Sequence, residues 1–470
     1  MPIATTNPAT GQVLKSYDPM SDEQIDAAIE RADLAFRDLH RTTFAQRAQW
    51  MNAAADLLDA ERDSTARLMT TEMGKTYAAA KAEVTKCATA CRFYAANAER
   101  MLADEPADAG AVKAKRAFVR YQPIGPVLAV MPWNFPLWQV MRFAAPALMA
   151  GNTGLLKHAS NVPQTALYLE DVFRRAGFGE GAFTTLLVGS EAVDRILSDP
   201  RVRAATLTGS ESAGRSIGQI AGRELKKTVL ELGGSDPFVV MPSADLDRAA
   251  EVATTARCQN NGQSCIAAKR FIVHTDVFDA FAEKFAARMS ALRVGDPMDE
   301  TTDVGPLASE RGRDEIDAQV QDAVRNGATV LCGGEKPAGD GWYYPPTVVT
   351  DLTPQMRMWA EEVFGPVAGL YRVSSYEEAI EVANGTSFGL GSNAWTTDEA
   401  EQERFATDLD AGNVFINGMT TSYPELPFGG VKNSGYGREL SALGMREFCN
   451  IKTVWVGEGE VGAGAGAHSE

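Results

Sequence analysis

One cysteine in this chain stands where a nucleophile would be built. Asn260-Asn261-Gly262-Gln263-Ser264-Cys265 places Cys265 behind a glycine-containing turn, and upstream Glu231 opens Glu231-Leu232-Gly233-Gly234. The pair points to covalent catalysis by a thiolate with a carboxylate in reserve. A thiol attacks well only as thiolate, and its pKa falls where backbone N–H groups or cations face the sulfur. A turn of small and amide residues ahead of a helix or strand supplies such donors without a histidine. An isolated cysteine is more often a small buried hydrophobe, so the reading depends on what else converges on Cys265.

The elements that must position these residues fall into two regions where strands alternate with helices. From residue 124, short apolar runs predict strands at 127–131, 154–157, 183–188, 204–208 and 228–232, with helices at 138–149, 162–176, 191–198 and 211–223 between them. Such alternation indicates a parallel, doubly wound sheet. A second α/β region runs from residue 237 to about 434, with strands near 269–274, 329–332, 367–371 and 413–416, and carries Cys265. Ahead of both, Ser21-Asp22-Glu23-Gln24 reads as a capping box before Ile25, Ala28, Ile29, Ala32 and Phe36 at helical spacing. Long Ala-rich helices follow over 44–102, broken near Gly74, then a polar connector over 103–116. The expected fold class is therefore α/β with two doubly wound domains.

Three motifs sit at predicted strand ends, the edge where open α/β sheets bind ligands. Pro132-Trp133-Asn134-Phe135-Pro136 fixes a side-chain amide between two prolines, the kind of donor an oxyanion hole needs. Gly209-Ser210-Glu211-Ser212-Ala213-Gly214 offers small residues through which a pyrophosphate reaches a helix N-terminus. Leu155-Leu156-Lys157-His158-Ala159-Ser160 brings Lys157 within reach of ribose or phosphate oxygens. Taken singly, each motif serves equally as a structural turn or a solvated strand end.

In order along the chain, Pro-Trp-Asn-Phe-Pro, Lys157-x-x-Ser160, Gly-Ser-x-x-x-Gly, Glu-Leu-Gly-Gly, Gly-Gln-x-Cys, Glu-Glu-Val-Phe-Gly-Pro (361–366) and Pro-Phe-Gly-Gly (427–430) resemble the aldehyde dehydrogenase superfamily, from Asn7 to about Val456. Within it, 157–163, 262–270 and 429–439 look most like bacterial succinate-semialdehyde dehydrogenases. The resemblance implies that Cys265 attacks an aldehyde carbon and that the Asn134 amide and the Cys265 N–H hold the oxyanion. Hydride passes to a nicotinamide, and Glu231 activates water to hydrolyse the thioester. It implies that Glu362 and Phe364 position the nicotinamide ribose and ring, and that Trp133, Asn134, Lys157, His158, Ala159, Ser160, Gly209, Ser210, Gly214 and Leu232 line the cofactor site. A cofactor-binding domain is expected over 1–104 and 124–233, and a catalytic domain over 234–440. A small β oligomerisation region is expected over 105–123 and 441–457, giving a homodimer or homotetramer, and a flexible tail over 458–470.

Cofactor choice turns on Ser160. Many NAD-using relatives carry Glu there, which would repel a 2′-phosphate, whereas Ser does not and Lys157 can pair with it. NADP is therefore expected to be preferred, with NAD tolerated. Arg142, eight residues after Asn134, matches an arginine that holds a distal carboxylate in succinate-semialdehyde dehydrogenases. Trp138 shares its helix face and would wall the aliphatic chain, and Ser264 and Ser422 would add hydrogen bonds. Two positions depart from relatives. Gln259 stands where some carry a second carboxylate-binding Arg, and Ala267 stands where others carry a Cys able to form a regulatory disulfide.

The remaining composition bounds the partners. The chain has 470 residues and a net charge of −17, which argues against nucleic acid and anionic membrane surfaces, and leaves a small-molecule aldehyde as the expected partner. No apolar run approaches a membrane span, residues 1–6 lack a secretory pattern, and six cysteines suit a reducing cytoplasm. Four histidines, none near a motif except His158, disfavour a thiol hydrolase, and Cys87 and Cys91 without further ligands disfavour a metal site. A broader aliphatic or aromatic aldehyde dehydrogenase is the alternative.

Overall fold

The computed structural model describes residues 2–457; the expected tail, 458–470, lies outside the described residues. Five parallel strands form the first sheet, in spatial order Lys227–Glu231, Ala204–Thr208, Pro126–Met131, Thr153–His158 and Phe183–Thr185. Its apolar runs are nearly continuous because both faces are covered. Val127, Ala129 and Met131 join a core with the helices Phe44–Ala60, Tyr77–Met101, Trp138–Ala150 and Pro163–Phe173. Leu128, Leu155, Ala205 and Leu207 join a second core with Asp22–Leu39 and Glu211–Arg223 on the other side. Alternation with period 2 thus feeds two cores from one strand. The capping box at Ser21 is present: its Oγ accepts from Gln24 N, and the Gln24 side chain accepts from Ser21 N at 2.8 Å.

Seven strands form the second sheet, in order Thr329–Cys332, Thr347–Thr350, Val367–Val373, Arg270–His274, Pro237–Val240, Gly391–Trp395 and Asn413–Ile416, all parallel except the first. Two of these, Thr347–Thr350 and Gly391–Trp395, escape the sequence pattern. Gly391-Ser-Asn-Ala-Trp395 has little β-propensity; its place is set by buried polar bonds instead. Asn393 Oδ1 accepts from Thr420 N at 2.7 Å, and Ser392 Oγ donates to Asn413 O at 2.9 Å.

The chain divides less cleanly than its sequence implies. Gly435–Tyr436, inside the stretch expected to be catalytic, pairs antiparallel with Lys227–Glu231 and completes the edge of the first sheet. The helix Ser441–Glu447, expected in the oligomerisation region, docks on Tyr77–Met101 and Trp138–Ala150, with Met445 and Phe448 buried in that core. An open sheet edge and an exposed apolar helix face both need cover, and this returning segment supplies it. Only Cys449–Val456 continues outward, pairing with Arg116–Pro123, which in turn pairs with Glu105–Pro106. Among the described residues no helix is long and apolar enough to cross a membrane.

Candidate active site

Met131, His158, Thr208 and Glu231 end four neighbouring parallel strands, so the loops after them open on one edge. The turn after Met131 is braced from below by His158. Its Nε2 donates to Pro136 O at 2.8 Å while Nδ1 accepts from Ala159 N at 2.9 Å, and burial lowers its pKa to about 4, so the ring is neutral. His158, expected at the cofactor, thus spends its ring on holding the Pro132–Pro136 turn. After Thr208, Ser210 caps the helix Glu211–Arg223 by accepting from Ala213 N. Gly214 lies against Leu232, and a Cβ there would approach its side chain to 2.6 Å, so this glycine permits helix–strand packing.

The cysteine loop is held by its amides. Asn260, Asn261 and Gly262 occupy the left-handed region in succession, with φ of 54°, 57° and 73°. For a non-glycine residue that conformation costs about 1–2 kcal/mol, and here side-chain bonds offset it. Asn261 Nδ2 donates to Gly74 O at 2.9 Å and Pro306 O at 3.0 Å, and its Oδ1 accepts from Gly305 N at 2.9 Å. Asn260 Nδ2 donates to Asn134 O at 2.7 Å, and Asn134 Nδ2 donates to Gln263 O at 3.0 Å. The Asn134 turn and the Cys265 loop are therefore tied together across the two sheets.

Cys265 emerges between two clefts of about 270 Å³ each. One is lined by Trp133, Asn134, Gly209, Ser210, Leu232, Glu362 and Phe364, uniting most residues expected at a cofactor. Trp133 and Phe364 meet edge to face across it, 5.8 Å between centroids. Glu362 Oε1 accepts from Gly234 N at 3.1 Å and pairs with the buried Lys269 at 3.4 Å. The other cleft brings together Trp138, Arg142, Ser264 and Ser422 with Lys75, Glu83, Lys86 and Gln259. Ala159 and Ser160 lie outside both, lining a small recess with Ile3 and Val188. The neighbouring Lys157 is half-buried, and burial lowers its pKa against the opposing charge of Glu191.

Electrostatics set the reactive groups apart. Burial pushes the Cys265 thiol up to about 12, while the charges of Arg142 and Lys269 oppose that shift. Lys269 Nζ also donates to the carbonyls of Ser264 and Cys265, at 3.0 and 2.7 Å, pinning the loop from behind. Glu231 is buried and lines neither cleft; its carboxyl faces Gly429, and neither oxygen has a hydrogen-bond partner. Burial, reinforced by the nearby Glu439, holds its pKa well above the ordinary carboxylate range. Glu439 is raised for the same first reason and opposed by Arg142, which it meets at 2.8 Å as an ion pair too oblique for a hydrogen bond. Two buried carboxyls therefore share one guanidinium.

Sequence reading alone missed Lys75, Glu83, Lys86, Lys269 and Glu439. Glu83 and Lys86 occur on Ala-rich helical sequence and Lys75 in the break after Gly74, all as ordinary surface-type charges, and only packing turns them inward. Lys269 and Glu439 each adjoin a recognised motif, so their proximity to it was the available signal.

Comparison with known proteins agrees with this geometry. The profile of the aldehyde dehydrogenase family matches residues 1–454. A protein of Mycolicibacterium paratuberculosis (strain ATCC BAA-968 / K-10) named succinate-semialdehyde dehydrogenase [NADP(+)] is 68% identical over 472 residues, covering 100% of both chains. A Mycobacterium tuberculosis (strain ATCC 25618 / H37Rv) protein, succinate-semialdehyde dehydrogenase [NADP(+)] 1, is 67% identical over 97% of this chain and 100% of its own. The crystal structure of succinic semialdehyde dehydrogenase from Streptococcus pyogenes in complex with NADP+ superposes with a TM-score of 0.94 at 38% identity, covering 97% of this chain and 100% of that one. With the family profile spanning nearly its whole length and the thiol, amide and carboxyl motifs gathered at one edge, this chain belongs to the aldehyde dehydrogenase family.

Proposed function

We propose that this protein oxidises succinate semialdehyde to succinate, with NADP preferred and NAD tolerated. The observation that carries the reading is the position of Cys265 at the junction of two clefts, one edged by Glu362, Phe364, Gly209 and Ser210, the other by Arg142, Trp138 and Ser422. The full-length relatives at 67–68% identity bear the same activity in their names.

A dinucleotide suits the first cleft. The N-terminus of the helix Glu211–Arg223 faces it behind Gly209 and the Glu362 carboxylate can accept from ribose hydroxyls; outside this cleft, Lys157 would supply charge to a 2′-phosphate and Ser160 would not repel it. When bound, the nicotinamide supplies the hydride acceptor. Cys265 gives up its thiol proton to water in the cleft, its Sγ adds as thiolate to the aldehyde carbon, and the Asn134 amide with the Cys265 N–H receives the developing oxyanion. Asn134 serves without rearrangement of its turn, because His158 and Asn260 hold the turn in place. After hydride loss the thioester carbonyl is attacked by water. Glu231 leaves its buried position by side-chain rotation and takes the water's proton, a step for which a pKa raised above the ordinary carboxylate range is suited. We also place the protein in the cytoplasm and as a homodimer or homotetramer, the strand Cys449–Val456 being its joining edge.

A substrate panel with both cofactors tests the reading. Reduced-cofactor absorbance should rank succinate semialdehyde above glutarate semialdehyde and benzaldehyde, and NADP above NAD, with Cys265→Ala inactive. A clear NAD preference would remove the roles given to Lys157 and Ser160. A better rate with benzaldehyde would leave a dehydrogenase of broader range.

A further inference from the structure

Three cations line the cleft on the far side of Cys265 from Glu362: Lys75, Lys86 and Arg142. Two of them are already matched. Lys75 pairs with Glu83, and Arg142 pairs with Glu439 while its guanidinium lies 4.7 Å from the centre of the Phe428 ring. Lys86 has no carboxylate within ion-pair distance among the described residues. Its Nζ donates to Ser422 Oγ at 3.1 Å and lies 4.3 Å from the centre of the Trp138 ring. Ser422 Oγ also accepts from Trp138 Nε1 at 2.9 Å. Both lone pairs of that oxygen are then used, and its one hydroxyl hydrogen is left to donate. An ammonium and a hydroxyl thus stand together on the cleft wall as donors lacking an acceptor.

We propose that Lys86, assisted by Ser422, is the group that recognises the distal carboxylate of the substrate, filling the need that Gln259 leaves where relatives have a second arginine. The inference rests on the reading of the substrate as a short aldehyde with a terminal carboxylate. A matched ion pair projects little net field into the cleft, so Arg142 orients and Lys86 supplies the uncompensated charge. Burial lowers the Lys86 pKa to about 8, with the Arg142 charge adding to the shift. A carboxylate arriving beside the ammonium relieves both effects. The Trp138 ring, already packed on Lys86, walls the methylene chain between the two ends of the substrate.

The test compares kcat/KM for succinate semialdehyde and for n-butanal, which has the same carbon count and no carboxylate, at saturating NADP. The proteins are wild type, Lys86→Met, Lys86→Gln and Lys86→Arg. Lys86→Met and Lys86→Gln should lower the ratio of the two constants about 10- to 100-fold, the scale of one charge-assisted hydrogen bond, chiefly through KM for the semialdehyde. Lys86→Arg should restore most of the ratio, which a purely structural role would not predict. Unfolding midpoints check each fold, and the glutamine variant stands in should the methionine variant fail to fold. A wild-type preference for the semialdehyde that survives in both uncharged variants overturns the role of Lys86 alone. No wild-type preference overturns the substrate reading, and this inference with it.

Discussion

At the scale of single residues, Cys265 is held in a balance that its environment does not resolve by itself. Burial drives the thiol towards about 12, and two cations pull it back, with no histidine lining either cleft beside it among the described residues. Glu231 waits nearby with its pKa raised by burial and by the charge of Glu439. The sign of its pH effect follows directly. Below the raised pKa Glu231 holds its proton and cannot accept one from water; above it the base form grows. Thioester hydrolysis should therefore accelerate as pH rises through a range above ordinary carboxylate values, and Glu231→Gln should lose that limb. In the same variant kcat should fall about 10²- to 10⁴-fold, while rapid mixing still records a burst of reduced cofactor near one per active site. An absent burst would move Glu231 to an earlier step. At the other end of the cofactor, Ser160→Glu should lower kcat/KM for NADP about 100-fold by placing a carboxylate beside the 2′-phosphate. The NAD constant should fall far less, and equal losses for both cofactors would count against the assignment.

At the scale of elements, the loop 259–265 shows what a sequence does and does not disclose. Gly262 announces a turn, and the doubly wound alternation announces the strand Arg270–His274 that follows it. The two asparagines look like generic turn residues. Their side chains instead fasten three separated segments, which no local pattern encodes, because Gly74, Asn134 and the pair Gly305 and Pro306 are distant in sequence. Asn261→Ala should destabilise the protein by about 2–4 kcal/mol, combining unpaired buried groups with left-handed strain. Asn261→Gly keeps the strain away but not the bonds, so denaturation midpoints should order wild type, Gly, then Ala. The same reasoning explains the strand Gly391–Trp395, legible only once Thr420 and Asn413 are beside it. Helices fared better, since Glu211–Arg223 coincides with its expected span and Trp138–Ala150 exceeds its own by one residue. The family resemblance likewise implied a common site for Cys265, Asn134, Glu362 and Phe364, and all four line one cleft. It did not anticipate that Glu231 and Arg142 would be bound up with Glu439, a long-range buried cluster outside the reach of periodicity.

At the scale of the whole molecule, the strand Cys449–Val456 has a paired side and an open one. It is the outer strand of its sheet, with Ile451 61% and Trp455 55% exposed. An apolar, eight-residue open edge invites a second strand. In a chain with net charge −17, close approach of two copies would work against mutual repulsion, so a contact at this edge would rest on apolar burial and hydrogen bonds. Ile451→Lys with Trp455→Lys should shift the protein to monomer by light scattering, while an unchanged mass would place the subunit contact elsewhere.

The short strand Gly435–Tyr436 has a consequence for how the protein comes into being. It closes the first sheet with residues far along the chain from the strand Lys227–Glu231 that they pair with, and Met445 and Phe448 complete the same core. A nascent chain released as far as Glu231 would have all five parallel strands yet an uncovered edge and an unfilled core. The domain built on the first sheet therefore reaches its finished state only once the segment 435–448 has joined it, and truncations that remove this segment should damage a domain whose parallel strands all precede residue 232.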